Sequence, residues 1–239
     1  MTDRRSELTL HDNRRTVLDL FCGLGGFSAA FEDSDDWDVV TVDIEERFSP
    51  TIQVDVLDLR PSDLPDPDLI LASPPCTHFS IANQPNPHWD GDEPTSPEVR
   101  ESITLTFHTV GLIRAFAPDY WFLENPLQGK MRTLLGRPPA SVTYCQYGFD
   151  WQKPTGLWGE HPPMTFRRCS PGADCHQAAG SGFDSGPEGT HIRDPAERSK
   201  VPYDLSESIR MAVDSAFENQ PPEQSTLGSA IAIADGGSE

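Results

Sequence analysis

Three short segments of this chain combine residue types that can do chemistry. The first is Ser73-Pro74-Pro75-Cys76, directly after the apolar run Leu69-Ile70-Leu71-Ala72. Proline fixes its own backbone and restricts the residue before it. The cysteine is therefore presented at a strand end rather than packed into a core. A thiolate is a strong nucleophile and also a good leaving group. The second segment is Glu124-Asn125-Pro126, after Tyr120-Trp-Phe-Leu123. A carboxyl group there can donate or share a proton if burial raises its pKa. The third is Asp19-Leu-Phe-Cys-Gly-Leu-Gly-Gly26, a strand, a glycine turn and the start of a helix. Such a turn lets backbone approach a ligand at the carboxyl edge of a sheet, and the helix N-terminus adds donors. Asp43 and Asp55 close the next two apolar runs, placed to meet ribose hydroxyls and an adenine amino group. A packing turn with surface carboxylates is the plainer alternative. Two acids at successive strand ends favour a nucleoside-containing cofactor.

These groups need a scaffold that carries them to one edge. Thr16-Val-Leu-Asp-Leu-Phe21, Trp37-Asp-Val-Val-Thr-Val42, Ile52-Gln-Val54, Leu69 to Ala72, Tyr120 to Leu123 and Ser141-Val-Thr-Tyr-Cys145 read as six strands. Helical spacing over Glu98 to Ala117 places Val99, Ile103, Phe107, Val110, Leu112 and Ile113 together. Strands alternating with helices predict βαβ units and a parallel sheet. Residues 1–14 read as a loose arm and 15–155 as the main domain. Residues 156–198, rich in Gly, Pro, Ser and His, read as a small irregular insertion. An amphipathic helix over 199–218 then returns to the main domain, followed by a polar tail over 219–239 with a weakly apolar patch at Ile231-Ala-Ile233. The acidic loop from Ala82 to Pro97 is long for a compact domain, which marks it as functional or as an untethered surface loop.

Bulk composition narrows the function classes. The chain has 239 residues, enough for one large α/β domain. No apolar run approaches the roughly 18 residues of a membrane span, and no apolar segment follows the charged N-terminus as a signal peptide requires. Five cysteines, Cys22, Cys76, Cys145, Cys169 and Cys175, give no even framework, which favours a reducing cytoplasm. Lysine occurs only at Lys130, Lys153 and Lys200 against 38 acidic residues, and the net charge is −20. Such a chain is expected to be adapted to high salt, where screening acts over about 3 Å at 1 M. A generic phosphate-binding surface would instead be basic.

In this order and spacing, the Asp19–Gly26 segment, Ser73-Pro-Pro-Cys-Thr-His-Phe-Ser80 and Phe122-Leu-Glu-Asn-Pro126 resemble the motifs of the cytosine-5 DNA methyltransferases. Tyr144-Cys-Gln-Tyr-Gly148, Lys153-Pro-Thr155 and Lys200-Val-Pro-Tyr-Asp-Leu-Ser206 resemble short, phage-like members. The likeness covers about residues 16–158 and 198–217. It implies a Rossmann-like class I S-adenosylmethionine methyltransferase fold, a mostly parallel seven-stranded sheet with helices on both faces. It implies S-adenosylmethionine as cofactor, with Phe21 on the adenosyl group and Gly23, Gly25 and Gly26 against the methionine part. Asp43 and Ile44 would serve the ribose end, Asp55 and Val56 the adenine, and Pro74 the methyl donor. It implies Cys76 as the nucleophile for cytosine C6, Glu124 as the partner of N3, and Asn125 as the residue that directs Glu124. The substrate would be a cytosine flipped out of double-stranded DNA, contacted by Ser80, Gln146, Lys153, Arg167 and Arg168. The family's usual Gln-x-Arg-x-Arg segment is reduced here to Gln146 and, later, Lys153, with Lys153 facing a phosphate.

Arg167, Arg168, Arg193 and Arg198 give the insertion its basic character, as recognition contacts or as solvated surface arginines. Cys169, Cys175 and His176, with His161 and His191 nearby, could supply zinc ligands. Their C-x5-C spacing and adjacent Cys-His pair match no standard pattern, so an ordinary loop with reduced thiols is the expectation, with no metal. Cys22 and Cys145 read as packing. The expected protein is a cytoplasmic monomer acting on DNA, with a cognate restriction nuclease or another partner in view. The same chemistry on tRNA, and a catalytically silent module that binds nucleic acid or S-adenosylmethionine, are the rival readings.

Overall fold

A computed structural model describes residues 8–79, 88–170, 173–176 and 194–219. The first residues of the arm, Ser80, the first part of the Ala82–Pro97 loop, His191, Arg193 and the Ile231–Ile233 patch lie outside them.

The described residues form nine strands, β1 Arg15–Leu20, β2 Trp37–Asp43, β3 Ile52–Gln53, β4 Leu69–Ala72, β5 Trp89–Asp90, β6 Glu93–Pro94, β7 Tyr120–Pro126, β8 Ala140–Thr143 and β9 Pro154–Trp158. Seven of them build one sheet in the order β3-β2-β1-β4-β7-β9-β8. The pairs β1–β2, β2–β3, β1–β4 and β4–β7 are parallel, and β9 alone runs against its neighbours β7 and β8. The sheet is the mostly parallel, seven-stranded class I arrangement.

Alternation along the strands feeds two cores. Leu18, Leu20, Ile70 and Ala72 belong to one, and Val17, Leu69 and Leu71 to the other. Among the described residues five α-helices accompany the sheet, α1 Ala29–Glu32, α2 Pro97–Phe116, α3 Met131–Leu135, α4 Pro195–Ser199 and α5 Tyr203–Glu218. Helix α2 buries Val99, Leu112 and Ile113 in the first core, and α5 buries Leu205, Ile209 and Val213 in the second. A fully buried Leu or Ile contributes roughly 1.5–3 kcal/mol, whereas an exposed ion pair contributes about 0–1 kcal/mol. The two apolar faces therefore contribute most to holding the sheet. Helix α5 is locked to the first βα unit by Ser206 Oγ, which donates to Phe27 O at 2.7 Å and accepts from Ala30 N at 3.1 Å.

Two local departures from the sequence matter for the site. The sixth strand ends at Thr143, and Tyr144–Tyr147 form a 3-10 turn closed by Gly148 at φ 90°. Strand β9 was not legible, because Pro154 and Gly156 read as loop. Proline is tolerated as the first residue of a strand, and here it pairs opposite Thr143. The sheet consequently runs through the boundary expected at residue 156. Within the acidic loop, β5 and β6 make a small antiparallel hairpin, tied down by Lys130 Nζ to Asp92 Oδ1 at 2.8 Å.

Candidate active site

Strand register brings Cys76 and Glu124 to one edge. Ala72 of β4 lies opposite Leu123 of β7, so Ser73 and Glu124 leave the pairing side by side. Asn125 confirms the alignment, since its Nδ2 donates to Pro74 O at 2.9 Å in a buried position. The chain then turns, with Phe79 N donating to Cys76 O at 2.9 Å and Lys130 N to Phe79 O at 2.7 Å. Trp89 Nε1 donates to His78 O at 2.8 Å, and the His78 ring bonds Ser102 of α2 at 2.8 Å. Cys76 thus sits half-buried in a loop anchored on both sides.

Glu124 is buried, and two groups converge on its Oε1. Tyr144 Oη donates to it at 3.0 Å, and Lys153 Nζ lies 3.4 Å away. The Lys153 and Glu124 side chains are only 9% and 6% exposed. The fold explains this cluster. Strand β8 ends at Thr143 and β9 begins at Pro154, paired opposite each other, so Tyr144 and Lys153 emerge together beside the carboxyl end of β7. Tyr144 N donates to Lys153 O at 3.2 Å, and the ammonium sits 4.5 Å from the Tyr144 ring centre. Burial, reinforced by the Glu124 carboxylate, holds the Tyr144 phenol well above its usual range, so it remains a proton donor. Burial also pushes the Cys76 thiol up; the Lys153 ammonium opposes that rise and the Glu124 carboxylate adds to it. Lys153 is therefore a buried partner of Glu124 near Cys76, not the phosphate-facing side chain expected from the sequence. Tyr144 had no role assigned from sequence, and no periodicity or spacing marks it.

The crevice beside this cluster lies where the strand order reverses, between β1 and β4, where open α/β sheets bind ligands. Phe21 adopts φ 63° there, a conformation costing about 1–3 kcal/mol for a non-glycine residue. Gly23 and Gly25 have φ 51° and 69°, and a Cβ at either would meet nothing within 4 Å, so both face open space. Gly26 does not face that space. A Cβ there would collide with the Val201 carbonyl, so this glycine is required for the close approach of the segment leading into α5. Asp19 is wholly buried and accepts from Ser28 Oγ at 2.7 Å through Oδ2. Burial raises its pKa to about 7, against the Ser28 bond and with help from Glu32 and Asp43. Asp19 Oδ1 and Ser73 Oγ are buried without a partner among the described residues. Each such orphan costs roughly 1–3 kcal/mol. Asp19 lies on β1 and Ser73 directly follows its neighbour β4 at the switch point, a placement that fits a polar ligand there.

At the end of β2, Asp43 accepts from Gly23 N at 3.0 Å and Glu45 N at 2.9 Å, one bond to each oxygen. It shapes the glycine turn, and each oxygen keeps a lone pair. Ile44, next to it, is 59% exposed, which leaves an apolar surface beside the crevice. Asp55 Oδ1 accepts from Leu57 N at 2.9 Å, and Val56 is buried in the first core. Pro74 is buried two residues before Cys76.

Other expected residues lie elsewhere. Gln146 sits half-buried in the 3-10 turn. Arg167 stacks its guanidinium 4.1 Å from the Tyr147 ring centre, and its N–H donates to Tyr147 Oη at 2.9 Å. Arg168 is exposed. His161 is no ligand partner for the cysteines. It stacks on Phe122 with ring centres 4.5 Å apart, and burial lowers its pKa to about 4. Cys22 is buried beside Asp19 and Asp43, and burial first, then those carboxylates, raises its thiol to about 12, which leaves it inert.

A sequence profile described as C-5 cytosine-specific DNA methylase matches residues 15–128, the span from β1 to just past Glu124. The probable DNA (cytosine-5)-methyltransferase of Frog virus 3 is 30% identical over 173 residues, covering 66% of this chain and 77% of the viral protein. The chain belongs to the cytosine-5 DNA methyltransferase family. Two further relatives are the Type II methyltransferases M.HaeII of Haemophilus aegyptius and M.HhaI of Haemophilus parahaemolyticus. They are 33% and 29% identical over 117 and 116 residues, covering 46% and 45% of this chain. The chain spans only 34% and 32% of those two proteins, so its likeness to them is confined to part of their length. The cofactor of this methyltransferase family is S-adenosylmethionine, and the open glycine turn with the orphaned Asp19 and Ser73 atoms suits its polar methionine end. Among the described residues no helix is long and apolar enough to cross a membrane.

Proposed function

We propose that this chain transfers a methyl group to C5 of a cytosine in DNA through a transient bond between Cys76 Sγ and C6 of the base. The observation that carries the proposal is the convergence of Cys76, Glu124, Lys153 and Tyr144 at adjacent strand ends beside the cofactor crevice. S-adenosylmethionine, when bound, supplies an electrophilic methyl group on a sulfonium. Cytosine C5 is a poor nucleophile until a thiolate adds at C6. Cys76 gives its proton to solvent, the Sγ–C6 bond forms, and the electron pair of the C5–C6 double bond moves through the ring towards N3. Glu124 meets N3 with the carboxyl oxygen that Tyr144 and Lys153 leave free. C5, made nucleophilic in this way, would take the methyl group as its bond to the sulfonium breaks and leaves a neutral thioether. Loss of the C5 proton to solvent restores the double bond and expels Cys76. Asn125, fixed by Pro74 O, holds the β7 end in register. Phe21, Gly23, Gly25, Asp43, Ile44, Asp55 and Pro74 would line the cofactor, with Gly26 and Val56 supporting it through packing.

Because a base inside a duplex is out of reach, the target must leave the stack. Incubating the full chain with S-adenosylmethionine carrying a labelled methyl group, and with either cytosine-containing duplex DNA or tRNA, tests the substrate. Label is expected at C5 of DNA cytosine. Label confined to tRNA would transfer the same chemistry to RNA, and label in neither, with cofactor bound, would indicate a silent module. A cognate nuclease, in the manner of a Type II system, belongs to the same proposal.

Lys153 provides a pH test. Its ammonium lowers the Cys76 pKa against burial, so removing it raises that pKa and leaves less thiolate at neutral pH. Lys153→Met is expected to move the rising limb of the pH–rate profile to higher pH, with activity partly restored in alkaline buffer. An unmoved limb would exclude this role.

The net charge of −20 motivates a second expectation. Self-repulsion destabilises the folded chain and its approach to a polyanion unless salt screens it. Folding and methyl transfer are both expected to rise with salt towards molar concentrations. An activity optimum below about 0.2 M, where the Debye length is still roughly 7–10 Å, would contradict the halophilic reading.

A further inference from the structure

Four side chains outside the catalytic cluster meet in one place. Cys145 lies in the 3-10 turn after β8, and Cys169, Cys175 and His176 lie in the segment that follows β9. Their ligand atoms all fall within 4.8 Å of one another. Cys169 Sγ is 3.3 Å from Cys175 Sγ and 3.5 Å from His176 Nδ1. Cys175 Sγ is 3.7 Å from Cys145 Sγ and 3.4 Å from His176 Nδ1.

We infer that these four residues form a structural zinc site, Cys145, Cys169, Cys175 and His176, that staples the segment after β9 to the edge of the seven-stranded sheet. A tetrahedral zinc with sulfur ligands at about 2.3 Å and nitrogen at about 2.0 Å needs ligand atoms roughly 3.5–3.8 Å apart. Four of the six separations, 3.3–3.7 Å, lie close to that edge length, and all six are within 4.8 Å. They are well beyond a disulfide bond of about 2.05 Å. The donor set is closed, with four protein ligands and no position left for water, which is the structural rather than the catalytic arrangement. The three thiols lose their protons on binding, and His176 coordinates through Nδ1 in its neutral form.

Cys145 is what the linear sequence conceals. The ligands Cys169, Cys175 and His176 look incomplete together, and neither His161 nor any spacing rule supplies the fourth. The fold supplies it from 24 residues upstream of Cys169, at the outer edge of the sheet. The same segment is already laid along that edge, where Thr143 N donates to Arg167 O at 3.1 Å and Cys169 N donates to Thr143 Oγ1 at 3.1 Å. Metal at this point would fix Arg167 and Arg168 relative to the turn that carries Tyr144. A metal staple is a usual device of small units that lack a large apolar core.

The test is metal analysis of the full chain, purified without chelators and in reducing buffer. About one zinc per chain is expected, falling at least tenfold in Cys175→Ser and in Cys145→Ser. Cofactor binding by Cys175→Ser, measured by calorimetry, shows that the variant is folded. Cobalt replacing zinc in the wild-type chain is expected to give the visible bands and sulfur-to-metal charge transfer of a tetrahedral thiolate site, a readout that needs no variant. Wild-type protein that carries no zinc and gives no such cobalt spectrum overturns the inference, whether its thiols are free or paired. Zinc retained undiminished in Cys145→Ser also overturns it, because the staple then lacks its anchor on the sheet.

Discussion

Cys76→Ser is expected to lower methyl transfer by roughly 10³-fold or more while S-adenosylmethionine still binds with nearly wild-type affinity. A serine hydroxyl keeps the size and position of the side chain but is a far weaker nucleophile than a thiolate, and Lys153 cannot bring its much higher pKa into a useful range. The loop itself should survive the change, because its fixing bonds are made by backbone. Asn125 holds Pro74 O, and Phe79 N holds the carbonyl of residue 76. The orphaned Asp19 and Ser73 atoms and the open glycine turn that suit the cofactor are also untouched. Calorimetric titration with S-adenosylmethionine and a labelled-methyl assay on the same preparation separate the two effects. Full activity in the variant would remove the covalent step from the mechanism.

The second large effect is expected at Glu124. Glu124→Gln keeps an oxygen to accept from Tyr144 but loses the charge that faces Lys153 and the capacity to exchange a proton with N3. A positioned acid–base group contributes typically about 10²–10⁴-fold, and a loss of kcat in that range is expected, with little change in cofactor affinity. The substitution also leaves the Lys153 ammonium without its ionic partner at a 9% exposed position. Removing one member of a buried pair is costly, on the order of 3–5 kcal/mol in full, so a lower melting temperature should accompany the kinetic loss. Glu124→Gln combined with Lys153→Met removes both charges and is expected to recover much of the stability without recovering the rate. A double variant as active as wild type would show that the pair is structural only.

The legible and illegible parts of this site differ in a physical way. Cys76, Glu124 and the Phe21–Gly26 turn each follow an apolar run that must be a buried strand, and strand ends of a parallel sheet share an edge. Local pattern therefore sufficed to bring them together. Tyr144 and Lys153 reach Glu124 through β9, a reversed strand whose Pro154 and Gly156 carry no strand signature. Their partner is 20 residues from Tyr144, and the contact exists only because β9 inserts between β7 and β8. Lys153 was expected at a phosphate because it stands in for the arginines of the family's Gln-x-Arg-x-Arg segment. Its burial depends wholly on that insertion. Gly26 shows the reverse case. Its place in a glycine run suggested a cofactor contact, while the structure uses its missing side chain to admit Val201. Cys145 read as a core residue of a strand, but the strand stops two residues earlier and the turn carries its sulfur towards Cys175.

Covalent trapping tests the central claim most directly. Duplex DNA with 5-fluorocytosine at the target position should react with the full chain in the presence of S-adenosylmethionine. Fluorine cannot leave as a proton does, so elimination fails after methyl transfer and the protein stays joined to the base. The account predicts a complex that survives denaturation, has the mass of protein plus methylated oligonucleotide, and maps by peptide analysis to Cys76. Folded, cofactor-binding protein that methylates normal DNA yet forms no adduct, or forms one at another residue, would contradict it.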